Sequence, residues 1–388
     1  MRGDELMGEA SMMLPLLREG LAPAEELTEL RGRLPVAGME IPDEIGVRAW
    51  LVSGYAQVRE VLGDPGRFSN DLSHLAGTGI EALAEQDPGG LGFRDPPEHT
   101  RLRRLLTREF TVRRLSRLQP RIDALVTELL DDVESAGAGA DLVERFAVPL
   151  PSQVICELLG VPDSDRAEFE RRSTARFDMI AQFDNALDVV NESMDYLRGL
   201  AARERANPGD GLLGALVREH GDAVSDEDLA ALADGVLTGG HETTASMIAL
   251  GALELMRHPE QVTELHRNPH DVVEDLLRSM SVVQVAFPRF ARADTEVAGR
   301  AIGKGDAMIC SLSAANTDPA AAGSGHLAFG HGIHRCVGAE LGRMELRAAL
   351  PALFARFPGL TPQIDDEDDL ELRSFSIVFG METLPVRW

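Results

Sequence analysis

Three groups of residues in this 388-residue chain have the types and spacing for chemistry. Cys336 ends "HLAFGHGIHRC" in residues 326–336, where a thiol follows a run of glycines and histidines. Glu242 and Thr243 sit in "LTGGHETTAS", residues 237–246, an acid beside an alcohol in a largely apolar stretch. Arginines crowd "FRDPPEHTRLRRLLTREFTVRRL", and Arg289 follows an extended run in "VAFPRFARAD". Cys336 admits three readings: a metal ligand, a nucleophile, or packing. As a zinc ligand it could join His331 and His334, but H-x-x-H-x-C is tight for a tetrahedral site and a fourth ligand is not evident. As a nucleophile it could use His334 as its base. Cys156 and Cys310, in "SQVICELLG" and "DAMICSLS", read as small core residues.

The glycines around Cys336 favour something larger than zinc. Gly330, Gly332 and Gly338 carry no Cβ and would let backbone lie against a bulky planar group. "VGAELGRMELRAALPALFARF" continues as a helix over about residues 337–357, and its first amides favour a thiolate at Cys336. A thiolate at a helix start on a glycine-lined loop is what an iron porphyrin requires of a sulfur ligand.

Those residues need a scaffold, and the apolar spacing supplies one. The longest helical pattern runs from about 226 to 258, opened by Ser225 with Asp228 and closed by Pro259; at 1.5 Å per residue it spans about 50 Å. It is apolar on most faces, which places it in the middle. Gly239 and Gly240 each cost about 1 kcal/mol there relative to alanine, so close approach or a local opening is expected, with Thr243 able to take up a freed carbonyl or hold a water. His99 and Arg103 lie at i and i+4, on one helix face. Strand signals are few, at "EIGVRAWLVS", "TEVAGRAIG" and "SIVFGMETLPVRW". The class is mainly α with small β-sheets.

The net charge of -26 repels nucleic acid and anionic membranes, and no apolar run reaches the ~20 residues of a membrane helix. A soluble, cytoplasmic monomer is expected. The acidic run "DDEDD" at 365–369 reads as a solvated loop.

Phe329 to Gly338 resembles the haem loop of the cytochrome P450 family, F-x-x-G-x-x-x-C-x-G, with every fixed position filled. "GGHETT" resembles the family's [AG]-G-x-[DE]-T-[TS] segment, with Gly239, Gly240, Glu242, Thr243 and Thr244 in place. The resemblance spans nearly the whole chain and is closest to soluble bacterial members. It implies the cytochrome P450 fold as one domain over residues 1–388 without a fused reductase, with haem b between the central helix and the cysteine-loop helix. Cys336 is then the axial iron ligand, with Phe329 near the sulfur. His99, Arg103, Arg289 and His334 hold the haem propionates. Thr243 steadies dioxygen and Glu242 feeds its protonation. The implied activity is insertion of one oxygen atom from O2 into an apolar substrate of secondary metabolism, such as a polyketide, terpene or modified peptide, free or carrier-bound. Electrons would come from NAD(P)H through a ferredoxin and a ferredoxin reductase, with Arg104 and Arg335 on the docking face. The competing class is a haem-binding relative without monooxygenation: a ligand sensor, an isomerase or a peroxide user.

By position, residues 72–94, residues 176–187 with Phe177, Met179 and Phe183, the stretch Val282 to Phe287 including Val283, and Ile377 with Val378 should line the substrate pocket. Two departures from the family concern the scaffold behind Cys336. The E-x-x-R helix pair reads Asp275-x-x-Arg278, with Glu274 at i,i+4 from Arg278 as a possible substitute. Only "AAAGSG", residues 320–325, stands where the family carries a longer meander whose arginine contacts that pair.

Overall fold

The computed structural model describes residues 8–42, 46–75, 91–167, 186–364, 370–373 and 375–388. Its helices include α1 (Tyr55–Gly63), α2 (Glu98–Glu109), α3 (Gln119–Ala136), α4 (Pro149–Leu159), α5 (Ala186–Ala206), α6 (Asp226–Arg257), α7 (Pro269–Met280) and α8 (Ala339–Arg356). The central helix starts where the capping pattern predicts. The Ser225 side chain accepts from the Asp228 amide at 3.0 Å, and the Asp228 carboxylate accepts from the Ser225 amide at 3.2 Å. The two orphan donors of the first turn are thus satisfied reciprocally. Three acidic residues in that turn, Asp226, Glu227 and Asp228, complement the helix dipole.

Helix α6 is buried on nearly every face from Leu229 to Met256. It packs against α4 and α5 on one side and α7 and α8 on the other, and α8 in turn packs on α3. Leu250 and Leu253 are fully buried in that core. Each contributes on the order of 1.5–3 kcal/mol over an exposed leucine. Cys156, on α4, belongs to the same core.

A six-stranded sheet stands beside the helices. Its strands are β1 (Ala10–Ser11), β2 (Val36–Glu40), β3 (Ala49–Val52), β4 (Phe68–Ser69), β5 (Arg289–Ala291) and β6 (Ala307–Cys310), in the order β1-β2-β3-β6-β5-β4. Strands β3 and β6 run parallel, with Ala49 opposite Ala307 and Val52 opposite Cys310. The "AMIC" segment, which the sequence marks only as apolar, is therefore a central strand, and Cys310 is buried in it. The expected strands in "TEVAGRAIG" form the hairpin Thr295–Val297 with Arg300–Ile302. Those near the C-terminus give Pro385–Arg387, between Thr361–Pro362 and Ala140–Asp141. The acidic run 365–369 lies outside the described residues. Among the described residues no helix is long and apolar enough to cross a membrane.

Candidate functional site

The cysteine loop is folded by its own backbone. Gly332 has φ +74°, and a Cβ there would lie 2.2 Å from the Leu62 carbonyl oxygen at the end of α1, so only glycine fits. This assigns Gly332 to packing of the loop on α1, whereas the sequence pattern suggested a flat seat. The Cys336 amide donates to the Phe329 carbonyl at 2.9 Å, closing the loop, and the Gly338 amide faces the sulfur. Burial pushes the Cys336 thiol up from its ordinary value, partly opposed by that amide and by Arg103, Arg335 and Arg343. A half-buried cysteine with three arginines near its sulfur suits a thiolate bound to a metal. His331 packs on Gly63 of α1, and among the described residues no three His, Cys, Asp or Glu side chains are grouped to hold a metal ion, so no zinc set forms at Cys336.

Four expected cofactor residues meet. His99 on α2 and Arg289 on β5 are buried, and the rings of His99 and His334 lie 4.2 Å apart. Neither ring nitrogen of His99 nor Nε2 of His334 has a hydrogen-bond partner among the described residues, and the other His334 nitrogen donates to the Leu91 backbone. Burial pushes His334 down to about 3, with Arg289, His99 and Arg103 adding repulsion. Burial likewise brings Arg289 down to about 10, and among the described residues its Nη1 donates to the carbonyls of Phe287 at 2.7 Å and Pro288 at 3.5 Å. Two arginines and two histidines thus converge on buried space without a carboxylate hydrogen-bonded to any of them among the described residues. Buried cations and orphaned donors demand an anionic partner. A haem with its two propionates fits this cradle in charge and in number of acceptors.

The α6 motif faces two ways. A Cβ on Gly240 would meet Ile155 Cδ1 at 2.8 Å, so this glycine lets α4 approach. Gly239 has open space beside it, and its carbonyl accepts from the Thr243 hydroxyl at 2.7 Å, the bond anticipated for that threonine. Glu242 is buried, and the Arg373 guanidinium donates to its carboxylate; Arg373 also donates to Ser246 Oγ at 3.0 Å. Arg373 carries no sequence signal: it lies 131 positions from Glu242 and outside both motifs.

Of the two readings left open for Arg278, the structure pairs it with Asp275, but away from the scaffold behind Cys336. Asp275 and Arg278 bond at 3.0 Å on the surface of α7, with side chains 73 % and 49 % exposed. Glu274 does not reach Arg278. It accepts from Arg343 Nε at 2.5 Å and Nη2 at 2.8 Å, and from His326 Nε2 at 3.1 Å. Arg343 also stacks over the Phe329 ring, 4.5 Å from its centroid. These contacts join α7, α8 and the cysteine loop, a role for Glu274, His326 and Arg343 that sequence reasoning missed. The short lead-in is pinned independently: Tyr55 donates to Gly325 O at 2.6 Å, and the Tyr55 amide to Asp318 Oδ2 at 2.9 Å.

Of the expected pocket residues, Phe287 and Ile377 are among the few large apolar side chains left exposed. Val283 pairs with Val378, which is buried, and Gln284 N donates to Ile377 O at 2.9 Å, so the two stretches are adjacent. Phe93 contacts Phe287 edge to face at 4.7 Å. Residues 76–90 and 176–185, with Phe177, Met179 and Phe183, lie outside the described residues. The basic patch is largely neutralised, since Arg101 pairs with Asp228, Arg108 with Glu219 and Arg114 with Glu109. Arg104 and Arg335 have no ion-pair partner among the described residues; Arg104 lines a surface groove of about 720 Å³, and Arg335 a cavity of about 240 Å³ shared with Cys336.

The model of the family described as Cytochrome P450 matches residues 201–275 and 322–387. The chain is 42 % identical to "Cytochrome P450 FAS1" of Rhodococcoides fascians, over 99 % of this chain and 100 % of that one. It is 38 % identical to the 20-oxo-5-O-mycaminosyltylactone 23-monooxygenase of Streptomyces fradiae, over 99 % and 94 %. Among solved structures it resembles OxyC, a cytochrome P450 implicated in an oxidative C-C coupling reaction during vancomycin biosynthesis, with a TM-score of 0.88, 36 % identity, and 99 % and 98 % of the two chains covered.

Proposed function

The chain belongs to the cytochrome P450 family, and on that premise we propose that it is a haem-thiolate monooxygenase of secondary metabolism acting on an apolar substrate. The observation that carries this reading is the convergence of His99, Arg103, Arg289 and His334 beside the Cys336 loop, with no carboxylate hydrogen-bonded to any of them among the described residues. Haem, when bound, supplies an iron that activates O2 with electrons delivered from outside. The chain's own residues have separable tasks. Cys336 would hold the iron through sulfur, and the cations Arg103, Arg335 and Arg343 favour its thiolate. His99, Arg103, Arg289 and His334 would hold the propionates of haem b.

Thr243 donates its proton to Gly239 O, which leaves its oxygen free to accept a hydrogen bond in the open space beside Gly239. Glu242, within the same turn, is the acid that would deliver protons there. Exposed Phe287 and Ile377 favour an apolar substrate, carrier-bound in one version of this reading. Residues 1–388 would form one catalytic domain. NAD(P)H would supply electrons through a ferredoxin reductase and a ferredoxin, the latter steered by Arg104 and Arg335.

The absorption spectrum of the reduced, carbon-monoxide-bound protein tests the reading. A Soret band at the thiolate position is expected. A band at the neutral-thiol or histidine position refutes the active-enzyme reading and leaves a haem-binding protein of another function.

A further inference from the structure

We propose that Arg373 is the positioning residue of the acid Glu242, holding its carboxylate at a fixed place on α6 and favouring the ionised form to which it returns after each proton transfer. The inference rests on the reading of Glu242 as proton donor given above. Arg373 sits in the turn where Leu372 pairs with Met381, its amide donating to Gly380 O at 2.9 Å and the Glu382 amide donating to Glu371 O at 2.8 Å. The guanidinium leaves this hairpin, donates to the buried Glu242 carboxylate, and donates with Nη2 to Ser246 Oγ one turn further along α6. Two anchors on one helix face fix its plane.

Room for that reach is built into the hairpin. A Cβ on Gly380 would lie 2.2 Å from Arg373 Nη2 and 2.6 Å from Ser246 Oγ, so any larger residue there would displace the guanidinium. Glu382 Oε1 stands 3.8 Å from Arg373 Nε, and His241, beside Glu242, is buried and held neutral, pushed down to about 4 first by burial and also by Arg373. Arg373 thus arrives from the hairpin that carries Ile377, so the acid on α6 is held by an element of the substrate side. In turnover the carboxylate takes up one proton from water and then gives it up, returning to the ionised form.

The test is an infrared pH titration of buried carboxyl bands in the haem-loaded full chain. Glu345 is buried and pushed well above the ordinary carboxyl range, so it contributes a protonated band of its own; Glu345→Gln and Glu242→Gln assign the two. Arg373→Gln should raise the midpoint of the Glu242 band by about 1–3 pH units, Arg373→Lys should restore most of it, and Gly380→Ala should move it in the same direction with every charge retained. A Glu242 midpoint unmoved in both Arg373→Gln and Gly380→Ala, or a Glu242 band missing from both proteins at every pH at which they stay folded, overturns the proposal. Ferredoxin-driven turnover of Glu242→Gln separates the two readings. If it matches the wild type while the Arg373→Gln shift is seen, Glu242 is not the donor but Arg373 still holds it; if it is impaired and no shift is seen, the donor stands and Arg373 is irrelevant.

Discussion

Replacing Glu274 by glutamine should loosen the cysteine loop by a predictable amount. The Glu274 carboxylate is pulled down to about 2 from 4.5: burial opposes ionisation, but the Arg343 guanidinium and His326 outweigh it. At about 1.4 kcal/mol per tenfold change in proton affinity, such a displacement holds about 3 kcal/mol at neutral pH. The side chain is 27 % exposed and water screens part of the interaction, so about 2 kcal/mol is the working figure. Unfolding entropy of about 2.1 cal/mol/K per residue over this chain converts 2 kcal/mol into a melting shift of about 2–3 °C. The sign with pH follows from the lowered folded-state value. The carboxylate stabilises fully above about pH 4.5 and loses its contribution as pH falls towards about 2. The difference in melting temperature between wild type and Glu274→Gln should therefore be flat from about pH 8 to about pH 5.5 and less than half as large by about pH 3. Calorimetry across that range is the assay. A difference near zero at neutral pH, or one undiminished at about pH 3, would refute the assignment of Glu274 and Arg343 as the clamp behind Cys336.

Three further outcomes can be checked. His241, neutral when folded and pushed down to about 4 from 6.5, makes the fold lose up to about 3 kcal/mol as pH drops from about 6.5 towards about 4, because the unfolded chain takes up the proton first; His241→Asn should flatten that slope in denaturant titrations. Gly332→Ala should cost about 3 kcal/mol or more through its positive φ and the collision with Leu62 O, and should remove the thiolate-type carbon-monoxide band; a wild-type melt and spectrum would contradict the loop geometry. Arg289→Leu should weaken haem retention on gel filtration while the haem-free chain melts no lower than wild type, because a buried cation with no carboxylate hydrogen-bonded to it among the described residues has been removed.

Legibility in the sequence followed the range of the interaction. The capping pair Ser225 and Asp228 and the loop from Phe329 to Cys336 are local, so their residues carried the signal within a few positions. The His99 to Arg103 spacing marked one helix face, and α2 delivers both to the cluster. What stayed hidden was long-range partner choice. Glu274 had an apparent partner in Arg278 one turn away, yet α8 brings Arg343 closer, and the surface position of Asp275 and Arg278 shows that side of α7 facing water. Strand β6 was hidden for the same reason, since its pairing with β3 crosses most of the chain.

The cradle's pieces also lie far apart in order of synthesis. His99 and Arg103 leave the ribosome early, whereas Arg289, His334 and Cys336 belong to the last third of the chain. At roughly 5–20 residues per second, the stretch from Arg103 to Cys336 takes on the order of 10–50 s to make. Through that interval the early cations stay hydrated, since burying them without a counter-charge is unfavourable. Assembly of this cluster therefore waits for the segments that carry Arg289, His334 and Cys336.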